Sequence, residues 1–428
     1  MSAAVVPFNR LESGIWDLLA SLASARREER LLALQTAIQR LTGREQVLLA
    51  PSGQCAIARI LLALPQPEIV MPAFMCFQVK RAVEIAGKHI VYVDLAKDSV
   101  NATSAEYEPA AKPGRILLVP HVFGIPTDIE SICDLAQRRE CVVIEDAVPA
   151  FGGRRNGRLL GTFGDFGVFS FQQSKRLPAF RGATIIVNNP GVIDIAKLAA
   201  SQVAPSQRVL PLRELLVAMA HNLATIPWVY RNLTLPLLPL RDLRPRMSGR
   251  LRPRPDSLSG GSEAVLRVRA SGRDYTREVH PYQAEIVLRL LGRFDRIHAQ
   301  IGRLSMAYAT AFRDTPIATF LPPDCDPGGL MRFPIMFRGK DRAAVVGAAR
   351  QRGVYLKTMW IRPLPDASEL PQFPNAVRAA QSLVLLPLYS RLSVQEAELL
   401  AQSVIEVERD VPLTSRTADA GLESCHAA

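Results

Sequence analysis

The chain has 428 residues, of which 48% are hydrophobic and 21% are charged. This composition is typical of a globular protein and excludes a disordered chain, and the length predicts two domains. The six cysteines are scattered without a CxxC pair, so we expect neither a metal site nor a disulfide framework.

The net charge of +12 is compatible with nucleic acid, a membrane surface or small anions as partners. Arginines concentrate in RDLRPRMSGRLRPRP, but no aromatic residue lies between them, so we expect no nucleic-acid partner. No apolar run reaches the length of a membrane span, and the N-terminus lacks the pattern of a signal peptide. We therefore expect a cytoplasmic protein.

The first half of the chain alternates apolar strands with helices. Residues 10–42 have helical spacing of apolar residues. Strands are then predicted, in chain order, in VLLA, EIVMPAF, IVYVDL, RILLVPHVFG, CVVIEDA, FGVFSF and GATIIVNN. This alternation predicts a large α/β domain, residues 1–265, whose mainly parallel sheet of seven strands is covered on both faces.

The pattern changes in the second half. Residues 205–255 form an atypical insert that ends in an Arg/Pro-rich stretch, residues 241–255. A smaller C-terminal α+β domain is predicted over residues 266–411, with one long helix over 281–312 and strands in RFPIMFRG and VYLKTMW. Residues 412–428 are small and polar, and we expect a disordered tail.

Chemically active side chains follow several of the predicted strands. Asp146 ends one strand, Ser170 ends another, and Lys175 comes five residues later. The residues Ser52-Gly53-Gln54 open a helix directly after a strand. Ligands of open α/β sheets bind at the carboxyl ends of strands, so these groups are expected to converge.

This set of groups matches the needs of pyridoxal 5'-phosphate. That cofactor requires a lysine amine, a carboxylate beside its ring nitrogen, and hydroxyls with a helix N-terminus for its phosphate. Lys175, Asp146, Ser170 and the Ser52-Gly53-Gln54 turn supply these parts. Each residue taken alone also fits an ordinary strand end, where Asp caps a turn and Lys is a solvated charge.

The order and spacing of these blocks resemble the DegT/StrS-type (DegT/DnrJ/EryC/StrS) nucleotide-sugar aminotransferases, which have the fold-type I architecture of pyridoxal-phosphate enzymes. PSGQCAI resembles the family's SSGTAAL, VIEDAVPAFGG its VIEDAAQAHGA, and GRLLGTFGDFGVFSFQQSK its GRxxGSFGDxxxFSFHPTK. In the second half, RGVYLKTMWIRPL resembles RGIxTxxHYPPL and LPLYSRLSVQEAE resembles LPLHPxLTxEE.

The resemblance implies a role for each matching residue. Lys175 would hold the cofactor covalently and move the substrate proton, and Asp146 would pair with the ring nitrogen. Phosphate contacts are implied for Ser52, Gly53, Gln54 and Ser170, and Cys76 takes the place of the aromatic residue that stacks on the ring. The implied activity transfers an amino group from an amino acid, expected to be glutamate, to a nucleotide-linked keto-sugar in polysaccharide or secondary-metabolite biosynthesis. A homodimer is implied as well.

Four positions depart from the family pattern: Cys76, Pro149 in place of a Gln, Gln172 in place of a His, and Thr276 in place of an Asn. Two alternatives therefore stay open. The first is a non-catalytic or regulatory descendant of the fold. The second is a pyridoxal-phosphate-dependent sugar dehydratase, against which Lys175 speaks, because family dehydratases usually have His at that position.

The insert suggests a further hypothesis. Apolar residues follow helical spacing at Leu212, Leu215, Leu216, Met219, Leu223 and Ile226. Because the arginine-rich stretch follows, residues 209–254 could contact an anionic membrane surface from one side. The alternative is that the apolar stripe packs on the large domain or on a second subunit.

Overall fold

A seven-stranded sheet forms the centre of the first half of the protein. The computed structural model describes residues 6–24, 27–200, 212–234, 236, 278–323 and 325–413. The nine strands of this half are β1 (Val47–Ala50), β2 (Glu68–Pro72), β3 (His89–Val93), β4 (Arg115–Pro120), β5 (Val142–Asp146), β6 (Arg154–Arg155), β7 (Arg158–Leu159), β8 (Phe166–Ser170) and β9 (Ala183–Val187). Of these, β6 and β7 form a separate two-stranded hairpin.

The strand order in the large sheet is β1-β9-β8-β5-β4-β2-β3. Strands β3, β2, β4, β5 and β8 are parallel, whereas β9 is antiparallel to both β8 and β1. The sheet is therefore mixed and mainly parallel, and the predicted α/β fold class is confirmed. Because β4, β5 and β8 are adjacent and parallel, their carboxyl ends meet at one edge.

Alternate residues of the central strands face two separate apolar layers. In β4, Ile116 and Leu118 belong to one hydrophobic cluster, while Leu117 and Val119 belong to the other. All four are fully buried. A strand whose two faces are both covered needs apolar residues at every position, which explains the continuous run ILLV.

Helices cover the sheet and follow it along the chain. The α-helices of the first half and the insert are Ile15–Leu22, Glu29–Thr42, Gly53–Ala63, Phe77–Ile85, Ser104–Tyr107, Ile129–Arg138, Ile195–Ala200, Leu212–Ala224 and Pro227–Val229, with 3-10 turns at Val122–Gly124 and Pro190–Val192 and a π-helical turn at Tyr230–Thr234. The helical region predicted over residues 10–42 thus contains two helices rather than one.

The C-terminal part contains a smaller antiparallel sheet with helices around it. Its elements are Pro281–Leu291, Phe294–Phe312, β10 (Ile317–Thr319), a 3-10 turn at Pro327–Gly329, β11 (Phe333–Phe337), Arg342–Gln351, a 3-10 turn at Leu370–Gln372, Pro374–Ser382, β12 (Leu383–Leu386) and Val394–Asp410. The strand order is β10-β11-β12. This arrangement agrees with the predicted α+β character.

Two predicted elements of this part were wrong. The long helix over 281–312 is two helices that meet at Gly292 and Arg293. The segment VYLKTMW is not a strand, because Lys357 alone forms an isolated bridge, to Leu385. Proline and the left-handed backbone of Trp360 end the extended stretch soon afterwards.

The proposed domain boundary at residues 265 and 266 lies outside the described residues, as do the Arg/Pro-rich stretch 241–255 and nearly all of the tail 412–428. The division into domains 1–265 and 266–411 therefore stays a prediction.

The helical part of the insert exposes much of its apolar surface. Leu215 is buried, but the side chains of Leu216, Leu223 and Trp228 are half or more exposed. In the described ranges, no helix has the length and hydropathy needed to cross a membrane. The predicted one-sided membrane contact of residues 209–254 stays a prediction.

Gly167 in the middle of β8 gives a test of the close packing around the large sheet. A Cβ atom there would lie 1.9 Å from the carbonyl oxygen of Gly161, so Gly167→Ala must displace the backbone next to it. We expect a loss of about 1–3 kcal/mol in the free energy of unfolding, measured by urea denaturation.

Gly347→Ala is the matched control for this substitution. A Cβ atom at Gly347, in the helix Arg342–Gln351, meets nothing within 4 Å. Helix propensity should then raise the free energy of unfolding by up to about 1 kcal/mol. Equal effects of the two substitutions would contradict the assignment of tight packing to Gly167.

Candidate functional site

The acid pair at the end of β5 divides between two environments. Successive side chains of a strand point to opposite faces, so Glu145 and Asp146 contact different neighbours. Glu145 is fully buried, and Asp146 is 4% exposed. Glu145 pairs in register with Gly167 of β8, and Asp146 with Val168.

Glu145 is held entirely by protein donors. Its carboxylate accepts backbone N–H bonds from Gly161 at 2.6 Å, Phe163 at 2.8 Å and Gly164 at 3.2 Å. It also lies 2.9 Å from Nε2 of His121. Nδ1 of His121 accepts the backbone N–H of Thr127 at 3.1 Å, so Nε2 holds the proton and donates to Glu145. Both ring nitrogens are thus occupied, which makes His121 a structural residue.

Asp146 faces the other way, toward Lys175 and Cys76. Burial raises the pKa of the Asp146 carboxyl, and the positive charge of Lys175 acts in the opposite direction. One carboxylate oxygen accepts the backbone N–H of Val148 at 3.1 Å. Burial also raises the pKa of the Cys76 thiol, again opposed by Lys175. Lys175 therefore lies close enough to Asp146 and Cys76 to influence the pKa of both groups.

Lys175 stands in the loop after β8, at the junction with the C-terminal part. Its side chain is partly buried, and Nζ lies 3.8 Å from the sulfur of Met331. Burial lowers the pKa of the Lys175 amine, while Cys76 and Asp146 act in the opposite direction. A lowered pKa increases the fraction of neutral amine, which is the nucleophilic form.

The predicted phosphate residues also come together. Ser52 is the N-cap of the helix Gly53–Ala63, and its hydroxyl accepts the N–H of Cys55 at 3.1 Å. A Cβ atom at Gly53 would lie 3.1 Å from a methyl group of Val148 and 3.3 Å from Cβ of Ser170. Ser170 therefore adjoins this helix N-terminus, where helical N–H groups have no partners within the helix.

The backbone N–H groups of Gly53 and Gln54 are the first of this helix, and they lie at the same helix end as Ser170. The partial positive charge of a helix N-terminus, together with the Ser170 hydroxyl, suits a phosphate group. The absence of a side chain at Gly53 allows Val148 and Ser170 to pack closely against the first turn of this helix. The residues present thus fit a phosphorylated cofactor.

Aromatic side chains border the site beyond the sheet edge. Trp360 stacks on Phe123 with ring centroids 4.8 Å apart and meets Phe74 edge to face at 5.6 Å. Phe123 and Trp360 both have positive φ, at 58° and 51°, which is unusual for large side chains and typical of functional sites. With these contacts Trp360 belongs to the hydrophobic core that also contains Phe74 and Phe123.

Met331 and Arg332 are neighbours of Lys175 that the sequence analysis missed. They lie 156 and 157 residues away in the chain, and no local motif marks them. Of the four departures, Cys76 lies at the site, Pro149 is buried after Asp146, and Gln172 is partly exposed. Thr276 lies outside the described residues.

The sequence of the chain is similar to known proteins. The model of the DegT/DnrJ/EryC1/StrS aminotransferase family matches residues 19–223 and 267–405. UDP-N-acetyl-3-dehydro-alpha-D-glucosamine 3-aminotransferase of Acidithiobacillus ferrooxidans is 35% identical over 159 residues, 36% of this chain and 43% of that protein. GDP-perosamine synthase of Escherichia coli O157:H7 is 30% identical over 148 residues, 33% of this chain and 40% of that protein. The chain thus matches less than half the length of these curated relatives.

The solved structure of the aminotransferase TlmJ from Streptoalloteichus hindustanus has the same fold. The TM-score is 0.66, with coverage of 95% of this chain and 98% of that chain. At 19% sequence identity this similarity concerns the fold alone.

The Glu145 contacts give a test of the frame around the site. In Glu145→Gln the amide cannot accept from all of its N–H neighbours, so at least one buried donor loses its partner. We expect a loss of about 1–3 kcal/mol in the free energy of unfolding, measured by urea denaturation.

Glu130→Gln is the control. Glu130 binds Arg155 at 3.2 Å near the surface, where its side chain is 40% exposed. Breaking such a pair should cost less than about 1 kcal/mol. A loss for Glu145→Gln no larger than for Glu130→Gln would show that Glu145 does not hold the loop.

Proposed function

The chain belongs to the DegT/DnrJ/EryC1/StrS aminotransferase family of pyridoxal-phosphate-dependent enzymes, and we propose that it transfers an amino group from an amino acid to a keto-sugar. The observation that carries the proposal is the shared site of Lys175 and Asp146 at the carboxyl ends of adjacent strands. The family uses pyridoxal phosphate, and the site at Gly53 fits it.

Cofactor binding would use three groups of residues. The hydroxyls of Ser52 and Ser170, with the N–H groups of Gly53 and Gln54, would hold the phosphate. Lys175 would bond the cofactor through its amine, and Asp146 would face the ring nitrogen. Cys76 would border the ring with a thiol, which offers a smaller contact surface than an aromatic side chain.

When bound, pyridoxal phosphate supplies an electron sink that stabilises negative charge at the substrate carbon. Asp146 would support this property, because an ionised carboxylate beside the ring nitrogen favours the protonated form of that nitrogen. The Nζ atom of Lys175 would hold the proton taken from the substrate carbon and would return it to a different atom. The lowered pKa of Lys175 increases the fraction of neutral amine, which is the form that can accept a proton.

Further parts of the proposal rest on similarity to relatives. The amino donor would be glutamate and the acceptor a nucleotide-linked keto-sugar, since the two curated relatives are named for reactions of UDP- and GDP-sugars. A homodimer in the cytoplasm is the expected form.

Visible absorption of the purified full chain with added pyridoxal phosphate tests the proposal. We expect a band of the lysine-bound cofactor in the wild type, its loss in Lys175→Ala, and its bleaching by glutamate. Lys97→Ala, which removes an exposed lysine, should keep the band. A band that persists in Lys175→Ala would refute the assigned lysine.

The pH dependence of cofactor capture gives a second test. Because burial lowers the pKa of Lys175 below the usual 10.5, the neutral amine should dominate at a pH below that value. The rate at which the apoprotein forms the band should therefore level off below pH 10.5. In Asp146→Asn the levelling should move to still lower pH, because the Asp146 charge raises the pKa of Lys175.

In that experiment, Cys76 also raises the pKa of Lys175, and Arg332 lowers it. Nα-acetyl-lysine in the same buffers serves as the reference for an exposed amine. A protein rate that continues to rise as the reference does would contradict a buried, pKa-lowered Lys175.

A further inference from the structure

The helix Ile15–Leu22 has an apolar side that faces the solvent. Its exposed residues are Trp16 and Leu19, of which Trp16 is 81% exposed. The acid of this helix, Asp17, is buried and binds Arg289. The solvent side of the helix therefore carries no charge, although surface helices normally place charged and polar residues there.

The helix Leu212–Ala224 of the insert has the same property. Among its described side chains, the exposed ones are all apolar and are Leu212, Leu216, Val217, Ala220 and Leu223. The buried residues Leu215, Ala218 and Asn222 lie on the opposite side of the helix, as the helical period requires. This helix thus also has one covered side and one apolar side in the solvent.

The two helices are neighbours in the fold. The side-chain amide of Asn222 donates to the carbonyl oxygen of Ser13, which lies just before the first helix, at 3.1 Å. Leu18 of the first helix and Leu215 of the second are buried in the same hydrophobic cluster. The exposed apolar residues of both helices therefore lie on the same part of the protein surface.

The turn after the second helix extends this surface. The hydroxyl of Thr234 donates to the carbonyl oxygen of Ala224 at 2.8 Å, so the turn Tyr230–Thr234 folds back on the end of the helix. Trp228 and Leu233 are both more than half exposed. We call the following exposed residues the apolar face: Trp16, Leu19, Leu216, Leu223, Trp228 and Leu233.

The composition of the apolar face indicates a contact with a partner. Single exposed apolar residues are normal on protein surfaces, but a group of six that includes two tryptophans is typical of an interaction site. The next question is which partner covers it.

Positive charge follows the apolar face along the chain. Residues 241–254 contain six arginines and one acid, Asp242. They begin five residues after Pro236, the last described residue of this segment, and five residues span at most about 18 Å. The chain length therefore keeps this positive charge close to the apolar face.

An anionic membrane surface matches both features. Apolar side chains enter the boundary between lipid headgroups and acyl chains, tryptophan is enriched at this boundary, and arginines attract anionic lipids. A second copy of the chain matches less well. In a two-fold dimer the same patch meets itself, which would bring two arginine-rich stretches together against their repulsion.

We propose that the apolar face docks on the surface of an anionic phospholipid membrane. The helices Ile15–Leu22 and Leu212–Ala224 lie along this surface, since no helix in the described ranges is long and apolar enough to cross it. The proposed transaminase function plays no part in this argument, so the two proposals can fail independently.

Flotation of the full chain, loaded with pyridoxal phosphate, with vesicles of phosphatidylcholine and phosphatidylglycerol tests the proposal. We expect the wild type to float with these vesicles at low salt, and to float less with phosphatidylcholine alone. Leu216→Asp should lower the partition coefficient by about 10-fold or more, because a buried leucine is lost and a charge replaces it.

Leu32→Asp is the matched control for this substitution. Leu32 and Leu216 are both 65% exposed, but Leu32 lies in the helix Glu29–Thr42, outside the apolar face. The control adds the same negative charge to the protein and should leave the partition coefficient unchanged. Equal losses in the two variants would show that net charge, and not the apolar face, determines binding, and would overturn the proposal.

Tryptophan fluorescence locates the contact. The chain has three tryptophans, and Trp360 is buried. The anionic vesicles should shift the emission to shorter wavelength, because Trp16 and Trp228 leave water. The shift should disappear in the double variant Trp16→Phe with Trp228→Phe, and a shift that persists there would contradict the proposed face.

The remaining outcomes separate the membrane from other partners. Wild type that stays in solution with the anionic vesicles, or floats equally with both kinds of vesicle, overturns the proposal. Light scattering without vesicles tests a second copy: if Leu216→Asp halves the mass of the wild type, the face is a subunit interface and the membrane assignment is wrong. Thermal unfolding checks the fold of each variant, and Leu223→Asp replaces Leu216→Asp if that variant does not fold.

Discussion

The buried carboxylate of Glu145 is the constraint on which the site depends. It joins the ends of β4 and β5 to the loop before β8, because its donors are His121 and the backbone of Gly161, Phe163 and Gly164. These contacts fix the end of β5, and the alternation of the strand then directs Asp146 toward the opposite side. The adjacent acids therefore have separate tasks: one holds the frame and the other faces Lys175. Exchange of the two roles would require a shift of register by one residue.

Much of the fold could be predicted from the sequence because its signals are local. Seven apolar strands with helices between them predict a mainly parallel sheet, and the structure confirms it. The C-terminal part was harder, because one of its extended runs does not form a strand. The extended run VYLKTMW has strand-like composition but contributes one bridge, since its backbone turns at Trp360. The Trp360 ring stacks there on Phe123, a residue from the first half of the chain, and a local pattern cannot predict such a contact.

The residues of the candidate site also divide into those that a local sequence pattern can predict and those that it cannot. Lys175, Asp146, Ser170 and Gly53 follow strand ends, so their convergence could be predicted from topology alone. Met331 and Arg332 directly precede β11 in the chain, and only tertiary packing brings them to Lys175. Phe8, whose ring centre lies 5.7 Å from the guanidinium group of Arg332, could not be found either, because a single aromatic residue near a chain end has no pattern. Long-range contacts of this kind have no periodicity in the sequence.

The electrostatics of the site depend on how far each buried charge is compensated by an opposite charge. Asp146 and Lys175 are opposite charges that partly compensate each other, but burial remains the largest influence on the pKa of both groups. Arg176 and Arg332 adjoin Lys175 through one cavity, and burial lowers the pKa of both guanidinium groups to about 10. A chain gains no stability from unpaired buried cations, and an apolar pair of similar size would be cheaper. The charge of Glu12, which lines the same cavity, acts against the effect of burial on both arginines and so partly offsets the cost of holding them there.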